Sequence, residues 1–349
     1  MISKETNKIS IHIYTIGDLQ RWIDNGEDIG IDNNVLSNAR SVALLNNPYS
    51  KSTTPAIAVA FDAEKPVGYT AVFPDKLDGK TIYFGTTGFI DASMRGMGVG
   101  TRLYAAMMEA TGNNWFATDS APAALAISKK TGLNIQYYNR TYLLLKSNAK
   151  SLKGKLAESI VNHSNKRVLK NIYTKTKLQI VKHIDENTYH FIVAHNGDGL
   201  FLRERAMLNW VLQYPFKSVA PQDLSSYSDY LFTTAQEQYA IYAFKIMMEG
   251  RLIGFAMFRL SNNILTLLYF YYDEKYSKEV YDALLLHILK QDIAEFRTFD
   301  AGLIAHFNLA GGKSLNKRTR SHEVSLSFPR NITLNPSKNL HCGDGDMFC

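Results

Sequence analysis

Residues 95–101, Arg-Gly-Met-Gly-Val-Gly-Thr, set three glycines in five positions after an apolar run and before an amphipathic one. Glycine removes the Cβ atom where a chain turns sharply, so backbone amides can face outward. Where such a turn opens a helix, unpaired N–H groups and the positive end of the helix dipole form an anion site. A diphosphate suits it. The dinucleotide fingerprint is absent, because Thr101 stands where its third glycine would fall. No Gly-Lys-Ser/Thr follows, which excludes a P-loop. The pattern present is Arg-x-x-Gly-x-Gly, formed by Arg95, Gly98 and Gly100.

The flanking elements must hold that turn in place. Lys80 to Ile90 is rich in β-branched and aromatic residues and reads as a buried strand. Val99, Leu103, Ala106, Met107 and Ala110 recur at helical spacing, with Gly112 where a C-cap belongs. Strand, glycine turn and helix in this order resemble the coenzyme A pyrophosphate loop of the GNAT acyltransferase superfamily. The resemblance implies an α+β fold, a mixed and mostly antiparallel sheet flanked by helices, and acetyl-CoA or another acyl-CoA as co-substrate. It implies that Arg95, Gly96, Met97, Gly98, Val99, Gly100 and Thr101 hold the diphosphate. It also implies that Gly88, Phe89 and Ile90 lie along the pantetheine arm, one N–H facing the thioester oxygen. A donor aimed at a developing oxyanion is worth about 3 kcal/mol.

The proton-transfer groups depart from the family pattern. Members often carry a glutamate on the strand before the loop, and Lys80–Ile90 has none. Asp119, at the end of the next strand, is the nearest carboxylate in element order, and could order a water that takes the amine proton. It also suits capping of a helix starting near Ala121. The family's second signature ends in Tyr-x-x-x-Gly-Phe; here Ser128 falls at the tyrosine and Gly132-Leu133 at Gly-Phe. Serine is a poor proton donor, but a leaving thiol of pKa about 8.5 departs at neutral pH without prior protonation. Tyr104, Tyr137 and Tyr138 are further hydroxyls in the same region.

With 349 residues, 46% of them apolar, the chain has the length of two domains. Its first segment, Ile11 to Lys146, reads β-α-α-β-β-β-α-β-α-β-β, closing with a strand pair over Gly132–Leu145. After a basic connector the outline repeats: a helix over Arg203–Tyr214, strands over Tyr239–Met248, Leu252–Leu260 and Leu265–Tyr271, and a helix over Ser277–Gln291. The second helix entrance reads Tyr-Asp-Glu-Lys-Tyr at 272–276, without glycine, and its acids repel a diphosphate. The expected organisation is tandem: a coenzyme-binding catalytic domain over 1–148, a connector over 149–177, a degenerate GNAT-like domain over 178–310 and a polar tail over 311–349.

Composition limits the remaining classes. No apolar run reaches the roughly 18 residues that span a bilayer, and the polar N-terminus is unlike a signal peptide. Both cysteines, Cys342 and Cys349, lie in the last eight residues, so a reducing cytoplasmic location is expected. The net charge is +7, yet Lys146 to Lys182 holds ten Lys or Arg residues against one acid, Glu158. Such a stretch attracts phosphates or serves as a solvated connector; without a nucleic-acid module signature, nucleic acid is not an expected partner. No metal is expected: Asp344 and Asp346, each following a glycine, are too few for a calcium loop. The leading functional expectation is N-acylation of an amine on a small-molecule or cell-envelope precursor. A non-catalytic coenzyme A sensor and an aminoacyl transferase of related tandem fold stand as alternatives. Oligomeric state is not readable from the chain.

Overall fold

A computed structural model describes residues 9–25, 38–77, 79–118, 122–146, 151–197, 199, 201–219, 235–327 and 340–344. The first half runs β1 (Ser10–Thr15), α1 (Ile16–Asn25), α2 (Asn38–Leu45), β2 (Pro55–Asp62), β3 (Lys65–Leu77), β4 (Lys80–Ile90), α3 (Val99–Ala110), β5 (Trp115–Thr118), α4 (Pro122–Lys130) and β6 (Asn134–Leu144). The basic stretch contains α5 (Leu152–Asn171), followed by β7 (Lys177–Val181), α6 (Glu186–Ala194) and α7 (Arg205–Gln213). Next come β8 (Ser218–Val219), β9 (Ala235–Gln236), β10 (Tyr239–Met248), β11 (Arg251–Ser261) and β12 (Ile264–Tyr272). The chain continues with α8 (Ser277–Lys290), β13 (Glu295–Thr298), α9 (Ala301–Leu309) and β14 (Asn316–Ser327).

Twelve of these strands form one sheet in the order β1-β2-β3-β4-β5-β14-β6-β13-β12-β11-β10-β7. The duplication expected from element order is present in space. In each half an antiparallel meander (β2-β3-β4 or β10-β11-β12) leads through a helix to a short parallel strand. The parallel contact is brief in both, at Tyr83↔Trp115 and Phe84↔Phe116, and at Ile264↔Glu295 through Thr266↔Arg297. Apolar runs such as Ala56–Ala60 and Phe255–Phe258 bury both faces, as central strands must.

The sequence reading of the segment ends is corrected. Gly132–Leu145 is not a strand pair but the single strand β6, and its partner arrives from residues assigned to the polar tail. β14 pairs with β6 from Asn316↔Leu144 to Leu326↔Asn134, and with β5 from Val324↔Thr118 to Ser327↔Trp115. β6 in turn pairs with β13 of the second half, so the two halves share one continuous sheet. Residues 152–171, within the connector, form a helix whose N-cap Ser151 accepts from Gly154 N–H at 3.2 Å.

Three cores result. One lies under α3, one under α8 and α9, and the largest fills the space between the halves. In that central core Phe73 stacks on Phe84 at 5.2 Å, and Trp210 of the second half meets Phe73 at 5.3 Å. Trp210 Nε1 donates to the Ala43 carbonyl at 2.7 Å, which satisfies the indole across the junction. No described helix is long and apolar enough to cross a membrane.

On α8, His287 sits among Tyr242, Phe244 and Phe258, and burial pulls its pKa from 6.5 down to about 4. The unfolded chain therefore binds the extra proton first as pH falls. Stability from this group is complete above pH 6.5 and declines towards pH 4. The expected loss is roughly 2 kcal/mol after allowance for partial exposure. Melting temperature against pH checks this: His287→Phe should flatten the acid limb, and an unchanged limb would refute the assignment.

Candidate active site

The glycine turn is built from both of its ends. At the exit of β4, Asp91 N–H donates to the Val67 carbonyl at 2.8 Å. The Asp91 carboxylate accepts from Ser93 Oγ at 2.7 Å and Ser93 N–H at 2.9 Å, which holds its pKa below the ordinary value. Arg95 Nε donates back to the Ile90 carbonyl at 3.2 Å. Asp91 is thus used to close the loop. At the helix side Val99, Leu103 and Met107 are fully buried and seat α3 in its core.

The glycines answer different needs. Gly96 (φ +82°) and Gly98 (φ +80°) are left-handed, and a Cβ on either would meet nothing within 4 Å. Conformation, not space, requires glycine there, since a side chain in this region costs about 1–2 kcal/mol. Gly100 is a matter of closeness: its Cβ would lie 2.7 Å from Ile127 Cδ1. Gly98 occupies the N-cap of α3 and offers no side-chain acceptor, so the first-turn amides point out of the helix uncapped. Arg95, Gly96, Met97 and Gly98 are all exposed. Open space, uncapped amides and a helix dipole coincide at one point.

Beside this point the sheet opens. β4 pairs with β5 only at Tyr83 and Phe84, while β3 follows it to Ile90. Between Gly85↔Val72 and Gly88↔Thr70, β4 carries two residues against one, a bulge at Thr86 and Thr87. A bulge bends the strand and re-aims the residues beyond it. Past Phe84, among the described residues, no strand pairs with β4 on the β5 side, and Gly88, Phe89 and Ile90 lie along that edge. Phe89 is anchored by stacking on Tyr69 at 5.8 Å. Gly85 marks the start of that edge, because its Cβ would collide with the Trp115 indole at 2.2 Å.

The two sequence-predicted catalytic residues fare differently. Asp119 lies outside the described residues. Ser128, on α4, is fully buried, and its Oγ has no hydrogen-bond partner. Of the other hydroxyls, Tyr137 is exposed and Tyr104 packs against Trp115 at 5.3 Å. Tyr138 donates to Gln136 Oε1 at 3.2 Å, and burial, then Asp344, raises its pKa.

At the second helix entrance Asp273 accepts from Lys275 N–H at 3.1 Å and pairs with Arg251 at 3.2 Å. Asp273 is thus engaged by its neighbours, and no glycine opens that backbone.

Sequence reading missed a buried charge cluster between the halves. Arg203 pairs with Asp75 of β3 through Nη1 and with Asp344 at 3.2 Å, all three buried. Asp344, read from sequence as half of an insufficient cation loop, is instead the counter-ion of Arg203. Residues 340–344 lie against β12, where Tyr269 donates to the Gly343 carbonyl at 2.9 Å. No local pattern announces an ion pair whose members are 141 residues apart.

No family model and no curated protein matches the chain. Solved structures do, over most of its length. An acetyltransferase, as it is titled, from Pyrococcus horikoshii is 10% identical with TM-score 0.51, covering 97% of this chain and 95% of that one. N-myristoyltransferase of Saccharomyces cerevisiae, solved with myristoyl-CoA, is 11% identical with TM-score 0.51, covering 96% and 83%. A GCN5-related N-acetyltransferase from Anabaena variabilis is 10% identical with TM-score 0.50, covering 91% and 72%. At these identities the likeness is one of fold. The chain has a tandem GNAT-like fold, α+β in class.

Proposed function

We propose that the chain is an acyl-CoA-dependent N-acyltransferase of the cytoplasm, with its active site in the first half. The observation that carries this reading is the uncapped, glycine-built N-terminus of α3 just beyond the end of β4. Solved proteins of similar fold are titled N-acetyltransferases, and one holds myristoyl-CoA. Bound there, the co-substrate supplies an activated thioester carbonyl. The amides of Gly96 and of residues 98–101 and the α3 dipole hold its diphosphate, with Arg95 and Thr101 adding a charge and a hydroxyl; Met97 N–H is already given to the Met94 carbonyl at 3.3 Å. Phe89 and Ile90 orient the thioester, and an N–H of this segment stabilises the developing oxyanion. An amine nitrogen attacks the carbonyl carbon, the C–S bond breaks as the amide forms, and the amine proton leaves to water ordered by Asp119.

Ser128 is assigned to the departing thiolate. The assignment rests on its place at the tyrosine of the family signature, and it requires this buried hydroxyl to be uncovered when the co-substrate binds. Ser128→Ala is expected to lower kcat about 10- to 100-fold, the worth of a hydrogen bond to a charged group. Coenzyme affinity and melting temperature should hold, since no existing hydrogen bond is lost. Steady-state kinetics beside a melting curve check this, and an unaltered kcat would remove Ser128 from the mechanism.

The absence of a glutamate on β4 favours a second reading, a coenzyme A-binding protein without turnover. Radiolabelled acetyl-CoA offered with a panel of amines separates the two. Labelled amide supports the transferase; tight coenzyme binding with no product from any amine supports the binder.

A further inference from the structure

Arginines gather at the centre of the shared sheet, on strands from both halves. Register aligns Arg318 of β14 with Tyr142 of β6, Tyr142 with Arg297 of β13, Arg297 with Thr266 of β12, and Thr266 with Arg259 of β11. One step along, Arg320 stands opposite Arg140. Residues directly paired across a sheet share a face. The guanidinium carbons of Arg140, Arg297, Arg318 and Arg320 lie 5.5, 5.3, 6.0 and 5.7 Å from the Tyr142 ring. Arg140 and Arg259 are buried and held by further contacts. Solvent reaches Arg297, Arg318 and Arg320.

Among the described residues, one carboxylate is paired with two of these three. Glu295 accepts from Arg297 Nε at 2.6 Å and from Arg318 Nη2 at 3.3 Å. Three reachable cations against one anion leave a surplus of two positive charges (3 − 1), the complement of a phosphate dianion. Guanidinium forks match phosphate oxygens in pairs, which a lysine patch would not do. Arg318 Nε is already out of solvent without a partner.

The place of the cluster links it to the edge of β4. Val324 of β14 sits between Thr118, the end of β5, and Gln136 of β6. Beyond that point β6 and β14 continue past β5, and Arg140 follows Gln136 by four residues, about 13 Å along the strand. A sugar-sized amine phosphate plus the length of an arginine side chain spans that distance. Tyr138, between the two, is on the same face by strand alternation.

We propose that this cluster is the anion subsite of the acceptor, and that the acceptor is an amine bearing a phosphate or diphosphate group. The assignment rests on the transferase reading for its acceptor role, but the anion site itself does not. The test uses the full chain with coenzyme A saturating, so that loop 95–101 is filled, and titrates inorganic pyrophosphate by calorimetry. Wild-type protein should bind it saturably, and Arg318→Gln/Arg320→Gln at least about 30-fold more weakly, at a temperature where melting curves show both proteins folded. Equal affinity in the two proteins, or no binding to wild type, overturns the proposal. If coenzyme A itself does not bind, the same titration in Gly98→Trp protein keeps the loop out of the measurement, so the two readings fail separately. In turnover, a hexosamine phosphate should exceed the free hexosamine by about 100-fold in kcat/KM. The double variant should lose that preference through acceptor KM. Equal use of both amines by wild type would also overturn the proposal.

Discussion

Gly98→Trp is expected to weaken coenzyme A binding by at least about 100-fold while the protein still folds. Two contributions of different size set this outcome. Forcing a side chain into the left-handed conformation at φ +80° costs about 1–2 kcal/mol, a tolerable fraction of a typical 5–15 kcal/mol stability. The indole has room, because no atom lies within 4 Å of the Cβ position. That room is the space over the uncapped amides, so the ring takes the place of the diphosphate. Losing two amide-to-anion hydrogen bonds removes about 3–6 kcal/mol, and the binding effect therefore exceeds the folding effect. Calorimetric titration with coenzyme A, beside a melting curve, reads both numbers. Undiminished affinity in a folded variant would place the diphosphate elsewhere.

Arg203→Met is expected to cost about 3–5 kcal/mol of stability, because Asp75 and Asp344 would remain buried with no cation between them. A loss of that size brings a chain of ordinary stability near its unfolding threshold. Neutralising both acids as well, in Arg203→Met/Asp75→Asn/Asp344→Asn, should recover part of the loss. The remaining charges, not the missing side chain, are the larger cost. Urea midpoints for the three proteins test the ordering. A single-variant cost below about 1 kcal/mol would mean that water already reaches the cluster. The cluster also ties residue 344 to β3 of the first half, so cutting the chain before Leu340 should destabilise that half too.

Legibility in the sequence has physical causes. β4 is bounded by sequence alone at Lys80–Ile90, because an apolar, β-branched run ends there ahead of the glycine turn. β10 is bounded equally well by the Glu249-Gly250 turn. The left-handed turn can be read because glycine adopts it at the least cost, and Gly96 and Gly98 are both of that kind. β14 escapes notice for the opposite reason. Its residues, Asn-Lys-Arg-Thr-Arg-Ser-His at the start, lack the apolar alternation that marks a strand. Its place is set by hydrogen bonding to β5 and β6 and by arginines over Tyr142, contacts with no local signature. The bulge at Thr86 and Thr87 is hidden as well, since register depends on the partner strand. Arg203 looks like an ordinary polar residue before α7, until two acids from distant segments surround it.

The central claim is that amides at the start of α3 bind a diphosphate. Calorimetric titration of the full-length protein with coenzyme A, and then with pantetheine lacking the diphosphate, tests it most directly. The account predicts one saturable site for coenzyme A, and for pantetheine an affinity lower by at least about 100-fold. No heat from coenzyme A, or equal affinity for both compounds, would contradict it.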